Sequence, residues 1–212
     1  LTDTCPKPLL AAGGKPLILW PIERLAAAGI TDIVINHAHL GRMIEDTLGD
    51  GAAFGVRIAY SPEGKALETA GGIARALPLL GDSPFLVING DVFCDADIPA
   101  LRRAGEQLRA DGPLAHLLLV ANPAHNPAGD FGLHPDGSVT DAGGERLTFA
   151  GLGAYHPALF AGLSPDAPAK LAPLLRAAMA QGRVRGTRLD GLWVDVGTPE
   201  RLRELDLRLR AG

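Results

Sequence analysis

The stretch Phe85-Leu86-Val87-Ile88-Asn89-Gly90-Asp91 constrains the fold of this chain more than any other. Four apolar residues in succession leave no polar face for solvent, so they read as a central strand of a parallel sheet, covered on both sides. Asn-Gly then favours a turn. Asp91 falls at the carboxyl end of the strand, where open α/β sheets bind ligands in the crevice beyond the strand tips. A carboxylate fixed there can hold a divalent cation, or it can cap the following turn. Which of the two applies depends on its partners elsewhere in the sequence.

Strand and helix patterns alternate around this segment. Residues 15–29 read as a helix with Pro16 near its first turn and Gly29 as its stop. Strands at 32–36 and 56–60 bracket a helix at 40–48 that ends at Gly49. Helices at 71–80 and 99–110 flank the strand running to Asp91, and 114–120 is strand-like again. This alternation predicts a Rossmann-like α/β fold: a mixed, mostly parallel sheet flanked by helices. The later sequence departs from it. Pro135-Asp136-Gly137 marks a hairpin within 130–139, and a Gly-interrupted strand covers 149–155. A helix at 171–180, short strands at 184–189 and 192–196, and a charged amphipathic helix from Pro199 follow. With no repeat, low-complexity run or linker, one domain is expected over 1–212. Residues 1–112 would form the primary ligand-binding half, and 113–212 a lobe walling one side of the crevice.

Composition excludes some functions. A net charge of −4 and the lack of a Lys/Arg tract give no electrostatic basis for nucleic-acid binding. An anionic small molecule would need local cations or a metal. No apolar run approaches the ~20 residues that cross a bilayer, and no secretory leader is expected. Cys5 and Cys94 lack metal-ligand spacing, so a reduced, cytoplasmic setting is expected.

Three further segments carry groups suited to anions or metals. Pro6-Lys7-Pro8-Leu9 stiffens the backbone around Lys7, whose ammonium is a compact charge for phosphate oxygens. In Glu68-Thr69-Ala70-Gly71-Gly72-Ile73 a loop turns into a helix. There adjacent glycines permit close approach, and amides at the helix start attract anions or base carbonyls. Trp193-Val194-Asp195-Val196-Gly197-Thr198-Pro199-Glu200 ends a second short strand near an acid, then starts a helix with Thr198 as N-cap. Asp195 could share one Mg²⁺ with Asp91, or pair with a nearby Arg. His37-Ala38-His39 reads as polar surface, and Asp95 and Asp97 as caps of the next helix. No base adjoins either cysteine in sequence.

Together these residues resemble the sugar-1-phosphate nucleotidyltransferases. The motifs are Pro6-Lys7-Pro8-Leu9, Glu68-Thr69-Ala70-Gly71-Gly72, Asn89-Gly90-Asp91-Val92, Gly151-Leu152-Gly153 and the 193–200 segment, in the family's order over essentially the whole chain. Ser61-Pro62-Glu63-Gly64 and the Glu68 motif look most like the branch acting on UTP and N-acetylmuramate 1-phosphate; relatives guanylylate mannose 1-phosphate. The resemblance implies Mg²⁺ on Asp91 and Asp195, with Lys7, Asp91 and Asp195 as the catalytic set. It implies nucleotide contacts from Lys7, Gly71, Gly72, Asn89 and Asp91, and sugar contacts from Glu68, Asn89, Gly132 and Gly151. The expected partners are a nucleoside triphosphate and a sugar 1-phosphate, with the protein a monomer or at most a weak dimer.

Two departures stand out. The family's first strand and its Gly-rich triphosphate loop ending in Arg have no counterpart in this sequence, where residue 1 falls just beyond them. A second Lys common in relatives is also absent, and Arg146 occupies roughly its region. Two rival readings follow. A metal-dependent glycosyltransferase would use Asp95-Ala96-Asp97 as its acid pair, and a non-catalytic nucleotide sensor would keep the fold without turnover.

Overall fold

A computed structural model describes residues 4–211 of the chain. In chain order, β1 (Ala11–Ala12) and β2 (Lys15–Pro16) precede α1 (Leu19–Ala27), β3 (Asp32–His37), α2 (Gly41–Leu48) and β4 (Arg57–Pro62). Next come α3 (Glu68–Leu80), β5 (Phe85–Ile88), β6 (Val92–Cys94), α4 (Ile98–Gly105) and β7 (Ala115–Val120). The strands β8 (Phe131–Leu133), β9 (Val139–Thr140) and β10 (Glu145–Tyr155) follow, then α5 (Leu171–Met179), β11 (Val184–Arg188), β12 (Trp193–Asp195) and α6 (Pro199–Ala211). Among the described residues no helix is long and apolar enough to cross a membrane.

These elements sort into two units. One comprises Leu1–Ala66, Asn89–Ile98 and Leu192–Gly212; the other comprises Leu67–Ile88 and Pro99–Gly191. The units are interleaved along the chain, so the division expected between residues 112 and 113 falls inside the second.

In the first unit β3 and β4 pair in parallel, Asp32 opposite Arg57. Ile18, Leu19 and Ile22 bury against Ile35, Ile44, Leu48 and Val56 in one apolar cluster. A separate antiparallel ladder joins β6 to β12, with Cys94 opposite Trp193 and Asp195 opposite Val92. Phe93 of this ladder and Val196, just beyond it, share a second cluster with Ala12, Leu17 and Leu205 of α6. The sharp turn after β1 fixes that helix: Gly13 N–H donates to Asp206 Oδ1 at 2.8 Å. Trp20 meets Phe93 edge to face at 5.4 Å and donates its indole N–H to the Ala12 carbonyl. The helix expected from Lys15 begins only at Leu19, because Lys15 and Pro16 are paired with Ala12 and Ala11. The proline in its first turn is Pro21, where a missing N–H costs nothing because the first helical donors have no intrahelical acceptor.

The second unit is organised on β10, whose 11 residues pair antiparallel with β5, β7 and β8. Strand β11 adds in parallel to β7. Leu117, Leu119, Phe131, Tyr155, Phe160 and Leu175 lie in the core of this unit. The mixed α/β class holds, but the expected parallel majority does not. Only β3 with β4 and β7 with β11 are parallel among the described ladders. In particular β5 runs antiparallel to β10, with its residues half-buried rather than enclosed on both faces.

Two glycines of this unit are required by close approach. An added Cβ at Gly132 would stand 1.6 Å from the Gly143 carbonyl oxygen, so the hairpin closes only over a bare α-carbon. The Tyr155 side chain lies along its own strand over Gly153, where a Cβ would be 2.8 Å from the hydroxyl. Gly132→Ala is expected to destabilise by about 3 kcal/mol in chemical denaturation. Gly162→Ala, with open space around it, should stay within about 0.5 kcal/mol.

The hydrogen bonds from Arg210 and from Gly13 N–H hold the Asp206 carboxyl below its ordinary value. A depressed acid stabilises the fold above its unfolded value of 3.8, and that contribution is lost as pH falls through the lower folded value. Thermal melts taken from about pH 5 down to about pH 2.5 should therefore fall less steeply for Asp206→Asn than for the parent.

Candidate active site

Asp91 does not terminate a strand as its sequence context implies. Strand β5 stops at Ile88, and the Asn89 carbonyl accepts the Val92 N–H at 3.2 Å, closing a turn that carries Gly90 and Asp91 into β6. The turn has a stiff neighbour. Lys7–Leu9 forms a single 3-10 turn, tied by Leu9 N–H to the Pro6 carbonyl and by Ile18 N–H to the Pro8 carbonyl, both 2.9 Å. The Pro8 ring packs over Gly90, its Cγ 3.3 Å from where a Cβ would be. This contact sets Lys7 beside Asp91, Nζ 3.6 Å from Oδ2. At that distance the two form an ion pair without a hydrogen bond, and both side chains stay partly open to solvent.

Asp195 reaches the same neighbourhood through the β6–β12 ladder. Val196 N–H donates to the Asp91 carbonyl at 2.9 Å, one step beyond the pairing of Asp195 with Val92. The two acids therefore sit on adjoining backbone positions of one unit despite their separation in sequence. Thr198 caps α6 as expected, its hydroxyl accepting the Arg201 N–H at 3.3 Å. Arg201 is the Arg partner that the sequence left unnamed. Its Nη1 donates to Asp195 Oδ2 at 2.9 Å and to the Asp195 carbonyl at 3.0 Å. The detectable signal was the one-turn offset between the cap and Arg201, which returns its side chain to the strand end.

The donor set consists of two carboxylates with a lysine and an arginine beside them. Hard oxygens of this kind suit Mg²⁺. Among the described residues no cluster of three or more His, Cys, Asp or Glu surrounds a common centre. A cation held by Asp91 and Asp195 would thus complete its shell with substrate oxygens and water, the pattern Mg²⁺ prefers.

The remaining sequence candidates belong to the other unit, apart from Asn89, whose carbonyl closes the Asp91 turn. Glu68 opens α3 with its side chain exposed and its backbone at φ +61°, a left-handed conformation that is strained for a glutamate. The amides expected to be open at this helix start are not. Ala70 N–H and Gly71 N–H both donate to the Ala169 carbonyl, and Ala169 N–H returns to Leu67. Gly71 and Gly72 are buried, and a Cβ at Gly71 would stand 2.6 Å from the Ala167 carbonyl oxygen. The glycine at 71 is thus explained by the 167–169 segment packed against it. Gly151 lies at φ +76° where the β10–β7 register shifts, a bulge within the long strand. Arg146 donates to the carbonyls of Ala128, Gly129, Asp130 and Asp141, so its guanidinium organises a loop rather than standing in for a lysine.

The other sequence features have structural roles. His37 pairs with Glu45 at 2.7 Å, and its ring occupies the space a Cβ at Gly41 would need. Asp95 and Asp97 are exposed beyond the end of β6, Asp97 directly before α4. Burial pushes the Cys94 thiol up, away from nucleophilic use.

Comparison with known proteins identifies the family and the fold. The profile described as Nucleotidyl transferase matches residues 1–139. The chain is 59% identical over 207 residues to an N-acetylmuramate alpha-1-phosphate uridylyltransferase of Neisseria meningitidis, covering 96% of this chain and 89% of that protein. It is 32% identical to a mannose-1-phosphate guanyltransferase of Aspergillus fumigatus, but spans only 57% of that protein's length. Its fold superposes with a TM-score of 0.83 on a Bacillus anthracis structure described as a glucose-1-phosphate thymidylyltransferase in complex with a sucrose, at 22% identity and covering 99% of this chain and 88% of that one. The chain belongs to the nucleotidyl transferase family.

Proposed function

We propose that the protein transfers the uridylyl group of UTP to N-acetylmuramate 1-phosphate, with Mg²⁺ as cofactor and pyrophosphate as the second product. The observation that carries the reading is the pair Asp91 and Asp195 on adjoining backbone positions, each with a cation beside it. The choice of base and sugar is supported by the 59% identity to the Neisseria protein over nearly the whole chain. The reaction needs no covalent enzyme intermediate. A phosphate oxygen of the sugar 1-phosphate bonds to the α-phosphorus, and the bond from that phosphorus to the bridging oxygen breaks as pyrophosphate leaves.

The protein's work in such a reaction is placement and charge neutralisation. Asp91 and Asp195 would hold the metal, which supplies neutralisation of the triphosphate and a template for its oxygens. Lys7, free of a hydrogen bond to Asp91, can follow a phosphate oxygen during transfer. Gly72 remains the proposed base contact of the 68–72 motif, and Glu68, Asn89, Gly132 and Gly151 the proposed sugar contacts. The close approach at Gly71 comes from the chain itself. The unpaired Cys5 and Cys94 accord with a cytoplasmic site of action, where UTP is available.

A panel of four nucleoside triphosphates against N-acetylmuramate, mannose and glucose 1-phosphates, read by pyrophosphate release, tests the assignment. UTP with N-acetylmuramate 1-phosphate should be turned over fastest. Preference for GTP with mannose 1-phosphate would move the protein to the guanylyltransferase branch. Release of nucleoside diphosphate without pyrophosphate would make it a glycosyltransferase, and binding without turnover a sensor.

Asp91→Asn and Asp195→Asn should each lower turnover by about 100-fold or more with unchanged circular dichroism. Lys7→Ala should cost about 10- to 100-fold in kcat. Mg²⁺-dependent rates at the parental level in both aspartate variants would remove the metal site.

A further inference from the structure

We propose that Arg201 is the positioning residue of the metal-binding acid: its guanidinium locks Asp195 in the rotamer that presents the carboxylate to the cation. The proposal rests on the metal role assigned to Asp195 above. The same nitrogen, Nη1, bonds both the main-chain carbonyl and Oδ2 of Asp195, at 3.0 and 2.9 Å. Holding these two oxygens from one point closes a ring through Cα, Cβ and Cγ, so the carboxylate cannot rotate without breaking a charge-assisted hydrogen bond.

Arg201 is itself held. Its N–H is capped by Thr198, Leu202 N–H reaches the Thr198 carbonyl at 3.1 Å, and Leu205, one turn further, is fully buried. The first turn of α6 is therefore a fixed platform, and the arginine reaches back from it to the strand end.

Gly197 supplies independent support. A Cβ there would lie 3.1 Å from Arg201 Nη2, 3.3 Å from Cζ and 3.4 Å from Nη1. No left-handed φ demands glycine at this position. A Cβ there would press on the guanidinium, so glycine leaves the arginine its close passage over the backbone.

The two cations near the acids thus have different duties. Lys7 stands off Asp91 at 3.6 Å and is available to substrate. Arg201 is committed to both oxygens of Asp195, which suits a planar, pre-organised fork better than a mobile ammonium. A carboxylate has about four acceptor sites, so one arginine hydrogen bond and a metal bond can coexist. Repulsion between the guanidinium and the cation opposes the benefit of orientation. Both side chains are about 30% exposed, at 27% for Arg201 and 31% for Asp195, so water screens that repulsion. Partners that orient metal ligands are typically worth about 10- to 100-fold in affinity, which makes orientation the larger effect.

The test is Mn²⁺ binding to the nucleotide-free protein, followed by electron paramagnetic resonance of the free ion, in the parent, Asp195→Asn, Arg201→Gln, Gly197→Ala and Arg203→Gln. Arg201→Gln should bind Mn²⁺ about tenfold more weakly. The Mg²⁺ concentration for half-maximal turnover should rise in step, with the KM for sugar phosphate unchanged. Gly197→Ala keeps the charge but displaces the guanidinium, and should weaken Mn²⁺ binding by a smaller factor. Arg203→Gln, which removes only an exposed pair with Glu200, should bind like the parent. If Arg201→Gln proves unfolded by circular dichroism, the Gly197→Ala result decides. Parental or tighter Mn²⁺ binding in folded Arg201→Gln, or in Gly197→Ala where that variant decides, overturns the positioning role alone, provided that Asp195→Asn has lost Mn²⁺. Mn²⁺ binding that survives Asp195→Asn overturns the metal reading and the positioning role together.

Discussion

The hydrogen bond from Val196 N–H to the Asp91 carbonyl is the contact on which the proposed chemistry of this fold depends. It continues the short β6–β12 ladder by one step and brings together two acids that the sequence separates widely. The acids arrive by different routes. Asp91 stands in a tight turn braced by Pro8 over Gly90, and Asp195 ends a strand whose next residues start a capped helix. The backbone of the ladder is shielded by Phe93, Val196 and Leu205, so a few apolar side chains keep the polar site in register.

Around this contact the chain uses its prolines and glycines for closeness more than for flexibility. Pro8 lies on Gly90, the 167–169 backbone lies on Gly71, the Gly143 carbonyl lies on Gly132, and Tyr155 lies on Gly153. A methyl group in place of the glycine hydrogen would force backbone segments apart at Gly71 and Gly132, and would crowd the Pro8 and Tyr155 rings at Gly90 and Gly153. Such contacts carry little energy individually, but they fix distances that rotamer changes cannot restore.

Local features of the sequence were legible where the cause was local. Gly29 and Gly49 end their helices with positive φ, and Thr198 caps the last helix as its spacing with Pro199 implies. The Lys7, Asp91 and Asp195 candidates also fall within one unit. What the sequence concealed depends on distant partners. Strand β5 reads as a parallel-sheet centre because of its apolar run, yet its described neighbour is the antiparallel β10. The amide of Gly71 reads as open because nothing nearby in sequence reveals that Ala169 will accept its proton. The close approach of Gly143 to Gly132 and the bulge at Gly151 likewise leave no mark in the sequence.

The interleaving of the two units has a consequence for how the acids come to exist as a pair. The segment Asn89–Ile98 is a short excursion of one unit between two stretches of the other, and Pro99–Gly191 must be traversed before Leu192–Gly212 can return to it. Closing a loop of that length costs roughly 4 kcal/mol in chain entropy. Neither acid can be cut out with its partner as one contiguous fragment that omits the second unit. The site is therefore a property of the entire chain, present only once the last strand has found its place beside a segment made a hundred residues earlier.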